Sequence, residues 1–239
     1  MISVSDLAKR FGKVQAVDGA SFTAPDGAIT TLLGANGSGK TTTLNMLMGL
    51  LKPDRGAARI DGIAVEANAQ EARRRTGWFP DSVGLYPRLT SREHMRYFGE
   101  LHGMAGKPLE EAISGTIATL RMEDIADRRT EGFSTGQRMK VALARALVHS
   151  PANIILDEPT RGLDVISVRL LREILRQLRS EGRCILMSSH VMAEVQELSD
   201  HIVCIADGRV VAEGSPQALM AKADASDLEE AFIRLAVEA

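Results

Sequence analysis

The segment Gly34-Ala35-Asn36-Gly37-Ser38-Gly39-Lys40-Thr41 has the spacing G-x-x-x-x-G-K-[ST]. Glycines at these positions let a backbone wrap closely around phosphate oxygens, and successive N–H groups at a helix start supply donors and partial positive charge. Lys40 adds a full charge near the β and γ positions, and the Thr41 hydroxyl can face a Mg²⁺ ion. A nucleotide phosphate is therefore the expected ligand. The loop does not separate a kinase from a GTPase, a motor or a transport ATPase, because all of them use it.

Two adjacent acids follow an apolar run in Asn153-Ile154-Ile155-Leu156-Asp157-Glu158. Ligands of an open α/β sheet collect at the carboxyl ends of its parallel strands. Asp157 there suits a Mg²⁺ shell, while Glu158 can orient and deprotonate an attacking water if it lies within reach. The bland alternative is a strand end closed by solvated charges before Pro159. Phe133-Ser134-Thr135-Gly136-Gln137 precedes a helical pattern of Met139, Ala142, Leu143, Ala146 and Leu147, with Ser134 or Thr135 as N-cap. That turn reads either as a plain helix start or as a second place for anionic oxygens.

The elements that must position these groups are legible from periodicity. Ala28 to Leu33 reads as a strand, and Leu44, Leu47, Met48 and Leu51 fall at helical spacing after the glycine-rich loop. Asp61-Gly62 and Asp207-Gly208 each separate short apolar runs, which predicts two hairpins. From Gly84 to His149 the pattern is helical, with a Thr90-x-x-Glu93 capping box and Pro108 in a first turn. Beyond it, Ile154 to Leu156, a helix through Leu171, Ile174, Leu175 and Leu178, and Cys184 to Met187 alternate as in a parallel sheet covered on its faces. Leu228, Ala231, Phe232 and Leu235 close the chain with an amphipathic helix.

The chain has 239 residues, 44% of them hydrophobic and 25% charged, within the globular range. Its net charge of −2 gives no overall field for nucleic acid, so none is expected as a partner. No stretch approaches the roughly 20 apolar residues that cross a bilayer, and Met1 to Arg10 is charged where a signal peptide is apolar. A cytosolic chain is expected, with Cys184 and Cys204 as buried reduced thiols. Arg73-Arg74-Arg75 reads as a solvated helix face.

In this order the segments resemble the ATPase subunit of an ATP-binding cassette (ABC) transporter, from Leu7 to Leu235. Gly34 to Thr42 resembles the Walker A loop, Phe133 to Gln137 the LSGGQ signature, and Ile154 to Glu158 the Walker B strand. Arg161-Gly162-Leu163-Asp164 resembles the D-loop SGLD, and His190 the switch histidine. The implied fold is α/β: a P-loop NTPase core with a parallel sheet flanked by helices, an N-terminal antiparallel β-subdomain and an inserted helical subdomain. The implied division is a core over 1–83 and 150–215, helices over 84–149 and a tail over 216–239.

The resemblance also implies ATP and Mg²⁺ as cofactors, and a homodimer or heterodimer packed head to tail around two ATP molecules. Residues Gly34, Ala35, Asn36, Gly37, Ser38, Gly39, Lys40, Thr41 and Thr42 would hold the phosphates, with Phe11 stacked on the adenine. Ser134, Gly136 and Gln137 of the signature turn would complete the site from the other subunit, Ser134 and Gly136 acting on the γ-phosphate. Lys40, Glu158 and His190 are the implied catalytic groups, and Thr41, Asp157 and Asp81 the implied metal set. Asp81 stands where the family usually has Gln: it is either a hard oxygen ligand or a solvated loop acid. Thr135 and Arg161 also replace the usual Gly and Ser.

An integral membrane permease on a separate chain is the implied partner, which places the ATPase at the cytoplasmic face of the membrane. Leu85-Tyr86-Pro87-Arg88-Leu89 is the expected docking surface. The same segment, with Leu228-Glu229-Glu230-Ala231-Phe232 near the end, is most similar to bacterial exporters of the NatA-type and drug-efflux group. The rival reading is a soluble cassette ATPase acting on ribosomes or nucleic acid, which usually carries tandem cassettes, a long coiled coil or a basic arm. A nucleotide kinase would lack the Ser134 to Gln137 turn and the His190 switch.

Overall fold

The computed structural model describes residues 1–82 and 84–237. The expected core boundary at Val83 and the last two residues of the expected tail lie outside the described residues. The smaller of two sheets is antiparallel and takes β1 (Ile2–Phe11), β2 (Val14–Ala24), β4 (Arg55–Ile60) and β5 (Ile63–Ala64) in the order β2-β1-β4-β5. The larger takes β3 (Ile29–Leu33), β6 (Thr76–Phe79), β7 (Asn153–Leu156), β8 (Cys184–Ser189), β9 (His201–Ala206) and β10 (Arg209–Gly214). Its order is β10-β9-β3-β8-β7-β6, parallel throughout except for the antiparallel edge strand β10.

Both Asp-Gly hairpins form. Asp61 and Gly62 take φ 49° and 79°, Asp207 and Gly208 take 47° and 79°, and two consecutive left-handed residues make the turn whose twist matches the flanking strands. β3, β7 and β8 are buried along their length, as strands covered on both faces must be, and their apolar residues are joined by the buried hydroxyls of Thr30, Thr31, Ser188 and Ser189.

Helix α1 (Lys40–Leu47) lies between the sheets with Leu44, Met46 and Leu47 buried against Ile2, Leu7, Leu32 and Leu186. It is shorter than its periodicity predicts: Gly49 turns left-handed at φ 62° and leaves Leu51 beyond the helix. Helix α2 is short (Ala69–Arg74); Arg74 and Arg75 are exposed, as a solvated face requires, with Arg75 Nε bonding Glu71 at 3.0 Å, whereas Arg73 is half-buried and donates to the Met48 carbonyl at 3.2 Å. Helices α3 (Ser91–Leu101), α4 (Gly106–Thr119) and α5 (Thr135–Leu147) occupy the stretch read as helical, with the Thr90/Glu93 capping box present. Their buried residues Met95, Ile113 and Leu143 run into the same core as Ile154, Ile185 and helix α6 (Val165–Ser180). Helices α7 (Met192–Leu198), α8 (Pro216–Lys222) and α9 (Leu228–Val237) cover the β9/β10 edge through Val195, Leu219, Leu228 and Leu235.

Candidate active site

Strand order builds the site. β8 lies between β3 and β7, with Leu33 opposite Ser189 and Leu156 opposite Met187. The residues that leave these strand ends, Gly34, Asp157 and His190, therefore come out side by side, on the edge where open α/β sheets bind ligands. A cavity of about 170 Å³ opens there, lined in part by Asn36, Gly37, Gly39, Lys40, Thr41 and Thr42 of the loop and by Asp81, Glu158 and Arg161.

The loop has the shape of a phosphate cradle. Gly37 and Gly39 take φ 84° and 104°, and a Cβ on Gly39 would sit 2.3 Å from the Ala16 carbonyl oxygen, so only glycine fits. Lys40 is buried, and its Nζ donates to the carbonyls of Gly34 at 2.8 Å and Ala35 at 3.1 Å. It also lies 3.6 Å from Glu158 Oε1. The buried Ser38 hydroxyl has no partner among the described residues, the condition of a polar group awaiting an anionic oxygen.

The two strand-end acids divide. Asp157 is buried, its Oδ1 accepting from Ser188 Oγ at 2.6 Å, and the Thr41 hydroxyl also bonds its carboxylate. Burial is the largest influence on it and raises its carboxyl above the ordinary aspartate value, against those two hydrogen bonds. Glu158 takes a left-handed φ of 47°, uncommon for a residue with a side chain. That turn directs its Oε2 to His190 Nδ1 at 2.8 Å, while its backbone N–H donates to the same Ser188 hydroxyl at 2.9 Å.

Ser188 thus ties both acids to β8, a role the sequence reading did not find. The available signal was a hydroxyl two residues before His190, on the strand that neighbours the acids. Thr41 and Asp157 form a set of hard oxygen donors. Among the described residues no group of three or more His, Cys, Asp or Glu could hold a metal unaided. That suits Mg²⁺, which takes one or two carboxylates together with substrate phosphates and water.

Asp81 is an exposed loop acid with a partner: Nη1 of Arg161 donates to both of its carboxylate oxygens, at 2.8 and 2.9 Å. Ser134, and not Thr135, is the N-cap of α5, in a capping box with Gln137. The turn is not in the lining of that cavity: Ser134 is exposed, Thr135 lines a neighbouring cavity together with Asp81, Glu158 and Arg161, and a Cβ on Gly136 would meet Ser167 Oγ at 2.4 Å. Phe11 is likewise away from the cavity lining, half exposed at the tip of the β1–β2 hairpin, with Lys9 Nζ 5.8 Å from its ring centre. Tyr86, Pro87, Arg88 and Leu89 line a separate groove with Tyr97 and Glu131, whereas Leu85 turns in against the core.

The model of the ABC transporter family matches residues 17–161. The chain is 40% identical over 238 residues to the ABC transporter ATP-binding protein NatA of Bacillus subtilis, covering 98% of this chain and 97% of that protein. It is 39% identical over 231 residues to the Nod factor export ATP-binding protein I of Burkholderia lata, covering 97% and 76%. A solved ATP-binding subunit of an ABC transporter matches with TM-score 0.89 and 28% identity over 98% of this chain and 99% of that one. A dimeric ATP-binding cassette in a post-hydrolysis state, bound to ADP and Pi, matches with TM-score 0.81 and 25% identity over 90% and 98%. A family model across more than half the chain, a relative matched over 97% of its length and the fold agree with the cradle and its acids: the chain belongs to the ABC transporter family, as an ATP-binding and ATP-hydrolysing subunit.

Proposed function

We propose that this chain powers an exporter, working as a dimer of ATPase subunits on a separate membrane permease at the cytoplasmic face. The observation that carries this reading is a site in two halves. The cradle and Glu158 line one cavity, with Asp157 bonded to Thr41 and His190 bonded to Glu158, while the Ser134 to Gln137 turn is outside that lining and its N-cap Ser134 is exposed. A second copy can supply that turn, and Val165 and Ile166, 85% and 82% exposed just beyond Asp164, are apolar surface suited to meeting it. The solved relative with ADP and Pi is itself dimeric. The Nod factor export ATP-binding protein I, among the relatives, supports export.

In this reading ATP supplies the phosphoanhydride bond and Mg²⁺ neutralises the charge that its cleavage develops. Lys40 and the loop N–H groups of Gly34 to Thr42 hold the phosphates, and Ser134, Gly136 and Gln137 of the partner copy close over them. Glu158 accepts the proton of the attacking water, held in place by His190 and by Ser188. Thr41 and Asp157 hold the metal. Asp81, both of whose oxygens are engaged by Arg161, belongs to a charge pair in place of the metal shell. Phe11 stacks on the adenine. The groove at Tyr86 and Tyr97, with both rings more than 40% exposed, receives the permease. The core, helical insertion and tail divide near residues 83, 149 and 215.

The test is Glu158→Gln, which keeps the shape of the side chain and removes the base. With Mg-ATP it should form a stable dimer in analytical ultracentrifugation and hydrolyse at least about a hundredfold more slowly than wild type. A monomer under saturating ATP would refute the two-halved site.

A further inference from the structure

Asp81 and Arg161, 80 residues apart in the chain, meet at the phosphate cavity and line it together with Asn36, Lys40, Thr41 and Glu158. Their side chains are 35% and 67% exposed, and an ion pair so open to water contributes little to folding stability. Its place explains it better. The cavity already holds Glu158 in its wall, the acid Asp157 bonds the lining residue Thr41, and the charge of Lys40 lies only 3.6 Å from Glu158. An unpaired Asp81 would add one more negative charge facing a ligand that is itself polyanionic. Arg161 meets that charge at its source, and it does so through Nη1 alone.

We propose that Arg161 and Asp81 are one charge-compensated unit of the nucleotide site, in which Arg161 cancels the repulsion of Asp81 toward the bound triphosphate. Arg161 is then a positioning residue for ATP binding, acting through Asp81. The proposal rests on the site reading above, and its test separates the two. The affinity for ATP is measured by displacement of a fluorescent ATP analogue, in EDTA and in Mg²⁺, for wild type, Arg161→Ser, Asp81→Gln, the double variant and Lys40→Ala.

In EDTA, Arg161→Ser should weaken ATP about tenfold, the effect of one unit charge on another some 8 Å away through an effective dielectric of about 30. The loss should shrink in Mg²⁺, which lowers the charge of the ligand. Asp81→Gln should bind at least as tightly as wild type. The double variant should recover to within about threefold of wild type, the non-additivity expected of coupled neighbours. The thermal midpoint of Arg161→Ser should not move, which separates lost binding from lost folding. Wild-type affinity in Arg161→Ser, or a double variant that recovers less than half of the loss, overturns the proposal. Wild-type affinity in Lys40→Ala would instead overturn the site itself.

Discussion

His149 allows a stability prediction with a worked magnitude. Its ring stacks on His102 at a centroid distance of 3.5 Å and 8° between planes, joining the ends of α3 and α5. Nε2 donates a long hydrogen bond of 3.3 Å to the Thr76 carbonyl on β6, and Nδ1 is buried with no partner among the described residues. A proton on Nδ1 would find no acceptor and would face a second imidazole. Burial first, then His102, push the His149 pKa from 6.5 down to about 4.

A depressed histidine stabilises the fold above its unfolded pKa, and the contribution is lost as pH falls from 6.5 toward 4, where only the unfolded chain takes the proton. Between pH 7.5 and 5.0 this amounts to about 2 kcal/mol. His149→Phe keeps the stacked ring and removes the titration. In urea unfolding followed by the fluorescence of Trp78, on the same strand as Thr76, the variant should lose about 2 kcal/mol less than wild type between those pH values. His94 and His102, both lowered chiefly by burial, remain as a shared background. Equal losses in the two proteins would show that His149 is protonated as readily in the fold as out of it.

Ser188→Ala removes the hydroxyl that donates to Asp157 and accepts from the Glu158 N–H. It should lower kcat about tenfold and raise the Mg²⁺ needed for half-maximal hydrolysis, the scale found for residues that orient metal ligands. Steady-state kinetics with wild-type values for both would remove the positioning role. Burial pushes the Cys184 and Cys204 thiols up to about 11 and about 12. Neither should react with a disulfide reagent at pH 8 until urea unfolds the chain, and prompt labelling of the native protein would contradict their burial.

The groups that do chemistry were largely legible as strings. A glycine-rich loop between a strand and a helix, two acids at the end of an apolar run and two Asp-Gly turns are local patterns, because φ freedom and strand or helix periodicity act over a few residues. The N-cap choice between Ser134 and Thr135 needed the geometry, since either hydroxyl can reach a helix N-terminus and only Ser134 has extended backbone there, at φ −62° and ψ 163°. The helix expected through Leu51 stopped early for a reason equally local, the left-handed Gly49.

What folding added is long-range. Periodicity identifies β3, β7 and β8 but not their order, since neighbours in a parallel sheet are set by how the crossovers pack. Their order brings His190 and Ser188 between the loop and the acids. The pairing of Asp81 with Arg161 is of the same kind. Each stands out in the chain as an unexpected charge, and only the approach of two distant loops turns them into one neutral pair beside the phosphate cavity.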